Sequence, residues 1–233
     1  MNTKIFIILL TAVLFIYPAQ ILAADANSTA AKDVNLACAA VPKSIELPKP
    51  QTDGGKPLMQ ALKNRKTLRE FSGEKLPIQV LSNLLWAANG INRPDGKHTA
   101  PTAMNKQEID IYVAMADGLY LYDAKTNTLV GILAGDIRAA TGKQAFVKDA
   151  PVNLVFVADY AKMAGMPDEQ KDFYSAVDTG YISQNVYLFC ASEGLATVVR
   201  GYVDKPACQA AMKLLIDQRV ILAQTVGYPK KGN

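Results

Sequence analysis

The run Pro151 to Asp159 constrains this chain most. Val152, Leu154, Val155, Phe156 and Val157 make it apolar at odd and even positions alike. Successive side chains of a strand point to opposite faces, so such a run fits the centre of a sheet covered on both sides. Ile109 to Met115 is a second strand. Asp117-Gly118 makes a turn, Leu119 to Asp123 returns as the other half of a hairpin, and Leu129 to Leu133 continues it. Ala196 to Val203 and Arg219 to Val226 read as the last strands. A segment that must sit mid-sheet therefore needs neighbours on either side, and the chain supplies them.

Helical spacing fills the remainder. Pro57 to Asn64 is a short helix with Leu58, Ala61 and Leu62 on one side. Ile78, Leu81, Leu84 and Leu85 recur at three and four after Pro77, until Asn89-Gly90 ends the pattern. Asp136 caps a helix through Ala140. Asp172 to Leu195 is a long helix whose apolar stripe reads Val177, Tyr181, Leu188, Ala191 and Leu195, with Gln184 on the same line. Lys205 to Leu215 is a further helix. Strands and helices do not alternate strictly, which gives an α+β class.

The N-terminus has its own signature. Lys4 precedes an apolar run from Ile5 to Tyr17, and small residues follow at Ala23-Ala24. This pattern is a secretory signal peptide over residues 1–24, cut after Ala23 or Ala24. The run is short of the roughly 20 apolar residues of a spanning helix; an uncleaved anchor is the competing reading. Residues 25–55, with Pro42, Pro48, Pro50 and Gly54-Gly55, form an arm or linker, and the domain runs over 56–233. The mature protein is expected in a bacterial periplasm. Cys38, Cys190 and Cys208 allow one disulfide with one thiol over, although Cys190 and Cys208 fall in helical patterns that favour buried free thiols.

Composition narrows the chemistry. A net charge of +4 without a concentrated basic stripe argues against a nucleic-acid partner. A single histidine, His98, excludes a zinc centre with several imidazole ligands. No C-x-x-C pair and no G-x-S-x-G turn is present. An enzyme built from such a chain leaves its chemistry to a bound cofactor.

Three segments carry polar groups in suggestive order. In Arg65-Lys66-Thr67-Leu68-Arg69-Glu70-Phe71, an extended backbone puts Arg65, Thr67 and Arg69 on one face. Arginine forks match phosphate geometry, and a threonine hydroxyl adds a bond. Alone, this is a solvated charged turn. Pro101 to Gln107 is by itself an ordinary polar loop. Gly194 to Tyr202 contains a short strand ended by Gly201, where backbone can run close to a ligand.

Together, and in this order, the segments resemble the FMN-dependent nitroreductase family, including its branch related to the dehydrogenases of azoline-forming peptide biosynthesis. The family's R-x-[ST]-x-R-x-F element stands at Arg65 to Phe71. Its P-[ST]-[AS]-x-N-x-Q loop stands at Pro101 to Gln107, and its D-A-P strand start at Asp149-Ala150-Pro151. Gln184-Asn185 lies on the long helix, Gly194 to Gly201 gives G-L-x-T-x-x-x-G, and Gly227-Tyr228-Pro229 closes the set. The resemblance covers about residues 57 to 231.

It implies a nitroreductase-like fold, a central and mainly antiparallel sheet flanked by helices, working as a homodimer with FMN at the interface. Arg65, Lys66, Thr67 and Arg69 would hold the phosphate, the ribityl chain and the pyrimidine edge. Pro101, Thr102, Ala103 and Asn105 would contact the FMN of the other subunit. Gln144 would meet the pyrimidine edge, Val199, Arg200 and Gly201 would lie beside the ring, and Lys230 and Lys231 would reach the phosphate. Arg200 departs from the family, which often carries an acidic residue there. A cation beside the ring stabilises its anionic reduced form and raises its potential.

The implied activity is ping-pong electron transfer through FMN, to or from a small molecule such as a nitroaromatic or a quinone. NAD(P)H is a cytoplasmic donor, so export points instead to a redox protein, a quinol or the substrate itself. The rival readings are an exported flavin-binding protein without turnover and an exported module that binds no flavin.

Overall fold

The structure is a computed structural model and describes residues 41–231. The expected signal peptide, its cleavage point and Cys38 lie outside the described residues. In chain order the elements are β1 (Ile45–Glu46), α1 (Leu58–Asn64), α2 (Ile78–Asn89), β2 (Ile109–Met115), β3 (Gly118–Asp123), β4 (Thr128–Ala134), β5 (Val152–Asp159), α3 (Asp168–Glu193), β6 (Ala196–Arg200), α4 (Lys205–Met212) and β7 (Gln218–Gly227). Short 3-10 turns cover Ala103–Asn105, Arg138–Thr141, Ala145–Lys148 and Tyr160–Met163.

The strands form one sheet in the order β1-β4-β3-β2-β5-β7-β6. Every neighbouring pair is antiparallel. The α+β expectation, with a mainly antiparallel central sheet, holds. β5 is interior, as its two-faced apolar run requires. Leu154, Phe156 and Ala158 meet one core with Leu84, Leu85, Ile182 and Val186 of α2 and α3. Val155 and Val157 meet a second core with Cys208 and Met212 of α4. The helices α2 and α3 thus cover one face, with α1 packed on α3, and α4 covers part of the other.

Proline marks three helix starts: Pro57, Pro77 and Pro167 occupy the caps of α1, α2 and α3. α3 gains Asp168 and Glu169 in its first turn, where carboxylates suit the helix dipole. It ends at Gly194, whose φ of 74° is left-handed backbone that glycine adopts without a Cβ penalty.

Four features differ from the sequence reading. β1 joins the sheet by pairing with β4, and Leu47 is buried, so residues 41–55 lie against the domain rather than apart from it. α3 begins four residues earlier than Asp172, at Asp168 behind Pro167. The expected helix after Asp136 is a 3-10 turn over Arg138–Thr141. The apolar stripe chosen for α3 is not its buried face. That face is Ser175, Asp178, Thr179, Ile182, Ser183, Val186, Tyr187 and Cys190, while Tyr181 is 47% exposed and Phe173 62%. α1 behaves alike: only Ala61 is buried, and Leu58 is 62% exposed. Periodicity reports that a face is apolar, not what it faces.

Cys190 and Cys208 are buried and free. Burial pushes the Cys190 thiol well above its ordinary range and Cys208 to about 11, so both stay protonated. Among the described residues no helix is long and apolar enough to cross a membrane.

Candidate active site

The Arg65 to Phe71 segment leaves α1 extended and runs along the outside of β6. β6 is an edge strand, so alternate backbone groups point away from β7. Thr197 O accepts the Leu68 N–H at 3.0 Å. The Val199 N–H donates to Tyr187 Oη at 3.0 Å. The next outward N–H is that of exposed Gly201, and no acceptor meets it among the described residues.

Tyr187 of α3 organises this corner. Its hydroxyl lies 2.9 Å from Thr67 Oγ1, and the Arg65 guanidinium sits 5.2 Å from its ring centroid. Beyond Phe71 the chain meets the C-terminal segment: Ser72 N–H donates to Tyr228 O and Lys230 N–H to Glu70 O, at 2.9 and 3.1 Å. A cavity of about 480 Å³ opens here, lined among others by Lys56, Lys63, Lys66, Leu68, Tyr187 and Thr197. Arg65, Lys66, Arg69, Lys230 and Lys231 have no carboxylate partner among the described residues. Of these, Lys66 lines the cavity together with Lys56 and Lys63, and unpaired cations there suit an anionic group.

The remaining expected residues fall into two other places. Gln144 and Arg200 come together behind β6. Residues 198 and 200 alternate with 197 and 199, so Arg200 points to the α4 side of the sheet. There Arg200 is 3% exposed and donates to Thr141 O at 2.7 Å, Thr225 Oγ1 at 3.0 Å and Asn153 Oδ1 at 3.1 Å. The expected contact of this guanidinium with a ligand is therefore corrected: its donors are engaged inside the protein, and Arg200 is not part of the cavity lining. Gln144 Oε1 is buried with no hydrogen-bond partner.

Pro101, Thr102, Ala103 and Asn105 lie further along α3. The Ala103 N–H donates to Asp178 Oδ2 at 2.9 Å. Asp178 is nine residues before Tyr187, or about 13.5 Å of helix rise. The loop is not brought to the Arg65 corner of its own chain. Its backbone is strained, with φ near 50° at Met104, Asn105 and Gln107. Behind it Glu108 is fully buried, with neither carboxyl oxygen reached by a donor. Burial, reinforced by neighbouring Asp178, pushes the Glu108 carboxyl up to about 7.

Sequence reasoning missed Tyr187, Asp178, Glu108 and the cage of Thr141, Asn153 and Thr225. A signal did exist for two of them. Ser175, Asp178, Thr179 and Ser183 recur at three and four on α3, a polar stripe ending one turn before Tyr187. The cage joins residues from four separate elements and leaves no such periodic trace.

The donor set fits a phosphorylated flavin. Free cations and the Thr67 hydroxyl suit a phosphate and a polyol, and the open Gly201 N–H suits a ring nitrogen; Gln144, its Oε1 buried beside Arg200, is not brought to them. Residues 62–228 match the Nitroreductase family. A candidate nitroreductase of Methanocaldococcus jannaschii is 31% identical over 154 residues, spanning 62% of this chain and 78% of that protein. The crystal structure of a candidate nitroreductase from Ralstonia eutropha has a TM-score of 0.79 at 43% identity, covering 82% of this chain and 91% of that one. A chain of the E. coli microcin synthetase complex shares the fold, with a TM-score of 0.62 at 16% identity over 80% of this chain and 79% of that one. With these matches added to the corner around Tyr187, the chain belongs to the nitroreductase family and is a flavin-dependent oxidoreductase.

Proposed function

We propose that the protein is an exported, homodimeric oxidoreductase that binds FMN and passes electrons between two small molecules in turn. The observation that carries this reading is the convergence of Arg65, Thr67 and the Val199 N–H on Tyr187, beside a cavity that Lys66 and Pro229 also line. When bound, FMN supplies reversible two-electron chemistry, accepting from one small molecule and giving to the next.

The chain's own residues supply binding and orientation. Arg65, Lys66 and Arg69 hold the phosphate by charge-assisted bonds, with Lys230 and Lys231 at the rim. Thr67, fixed by Tyr187, hydrogen-bonds the polyol. The Gly201 N–H offers a donor to the ring.

The homodimer is supported by the outward faces of α3 and α1. Phe173, Tyr181, Leu58 and Met59 are 62%, 47%, 62% and 75% exposed. Gly180, beside Tyr181, has open space where a Cβ would stand, so another helix can approach closely. A second copy covering this face would bring its Pro101 to Asn105 loop toward the site. The electron acceptors fitting the reading are nitroaromatics and quinones. Export, supported by the Ile5 to Ala24 pattern, favours a quinol or redox protein over NAD(P)H as donor.

The test is a visible spectrum of protein purified from the exported fraction, followed by mass spectrometry of the released chromophore. The expected result is bound FMN, a mature N-terminus next to Ala23 or Ala24, and reoxidation of the anaerobically reduced protein by a quinone. Colourless protein that takes up no FMN overturns the reading. Flavin that is bound but never turns over leaves a flavin carrier instead.

A further inference from the structure

We propose that Arg200 is a positioning residue that sets the electron affinity of the flavin: a caged cation behind β6 that favours the reduced ring over the oxidised one. The inference rests on the FMN reading above and adds a role that ligand contact does not describe.

Three observations support it. First, the cation is buried without a counter-ion. Its partners are the Thr141 carbonyl, the Asn153 amide oxygen and the Thr225 hydroxyl, all neutral. Thr225 Oγ1 donates in turn to Asn153 Oδ1 at 2.6 Å, and Asn153 Nδ2 donates to Val147 O at 2.7 Å, so the cage is itself held in place. Burial lowers the guanidinium pKa from 12.5 to about 10, which leaves it charged at neutral pH. An uncompensated interior charge is costly, and a neutral side chain would fill the space without that penalty.

Second, the seat is shaped for it. A Cβ on Gly142 would stand 1.8 Å from Arg200 Nη1. Gly142 has a φ of 174°, extended backbone open to any residue, so a larger residue there would displace the Arg200 guanidinium from its seat by space and not by conformation.

Third, the position is specific. Arg200 ends β6 and immediately precedes Gly201, whose N–H is open, while the Val199 N–H is fixed by Tyr187. The guanidinium itself lies on the α4 face, where Thr141 O holds it beside Gly142, and the next residue, Lys143, donates its N–H to Tyr202 O at 3.2 Å. The caged charge thus stands behind the Gly201 edge and acts on the proposed ring through the protein, not by contact.

An oxidised flavin ring is neutral. Taking two electrons and one proton from a donor, which is oxidised by the same two electrons, leaves the ring with one negative charge. A fixed cation in a low-dielectric wall interacts with that charge and not with the neutral ring, so it shifts the equilibrium toward reduction. The cost of burying Arg200 in the resting protein is offset when the anion forms.

The test compares Arg200→Met and Arg200→Lys with the wild type by anaerobic redox titration of bound FMN, with thermal melting as a check on folding. The expected result for Arg200→Met is at least a tenfold loss of preference for the reduced form, equal to about 30 mV for a two-electron couple. Arg200→Lys, which keeps the charge, should recover most of it. If Arg200→Met does not fold, Arg200→Gln carries the same test. A folded neutral variant with the wild-type potential overturns the inference, as does a lysine variant shifted as far as the methionine one. Failure of the wild type to bind FMN is a separate outcome and removes the flavin reading itself.

Discussion

The Thr67 and Tyr187 hydroxyls meet at 2.9 Å, joining the segment after α1 to the C-terminal part of α3. The Tyr187 oxygen also accepts the Val199 N–H, so one phenol ties three elements of the site together. Tyr187→Phe keeps the ring under Arg65 and removes both bonds. A lost partner for part-buried polar groups costs about 1–3 kcal/mol. The expected result is a lower melting temperature and weaker FMN binding, with the melting loss present even without flavin.

Arg65 and Arg69 make no ion pair among the described residues, and Arg65 meets the protein chiefly through the Tyr187 ring. Replacing both by alanine should leave the melting temperature of the flavin-free protein nearly unchanged. FMN affinity should fall by at least tenfold, and the remaining binding should depend less on salt. Fluorescence titration at two ionic strengths reads both effects. Unchanged affinity would place the phosphate elsewhere.

Glu108 gives a pH dependence with a definite sign. Its carboxyl titrates near 4.5 when exposed and at about 7 in the folded protein. Between those values the folded state holds a proton that the unfolded chain has released. Stability contributed by this group is therefore full below pH 4.5 and declines as pH rises through about 7. The steepest loss is about 1.4 kcal/mol per pH unit for one proton. Glu108→Gln imitates the protonated acid and should flatten this slope in denaturant titrations from pH 5 to 8. Because Asp178 also holds the Ala103 N–H, hydrogen-exchange protection in the 101–107 loop, taken relative to the intrinsic rate at each pH, should fall with pH in the wild type and not in the variant.

The outward face of α3 predicts assembly. Tyr181→Asp puts a carboxylate on an apolar helix face that the single chain leaves exposed. The monomer loses no core contact there, so its secondary structure should persist. Light scattering should shift from dimer to monomer, and FMN content should fall if the partner's loop completes the site. A variant that stays dimeric with full flavin content would assign assembly to another surface.

Much of the fold was legible because local pattern and global placement agreed. Val152 to Val157 demanded a central strand, and β5 is one. Asp117-Gly118 demanded a hairpin, and β2 and β3 pair across it. Pro57 and Pro77 marked helix starts. The face of α3 was misread because periodicity carries no direction: the stripe through Tyr181 faces outward, and a stripe of serine, threonine and aspartate turns in. Arg200 was identified by position, but strand alternation at β6 aims its guanidinium into the protein. Cys190 and Cys208 were read correctly as buried thiols, because small apolar surroundings at helical spacing leave little else for them.

The amino-acid order by itself determined the elements, their class and the family, since hydrophobic period, turn residues and short motifs act within about ten positions of the chain. Only the tertiary structure decided that Thr67, Tyr187 and Val199 share one corner, that Arg200 sits in a neutral cage, and that Glu108 lies beside Asp178. Those relationships join residues tens to more than a hundred positions apart. They arise from how an edge strand, a long helix and two loops pack, and nothing periodic in the sequence encodes that.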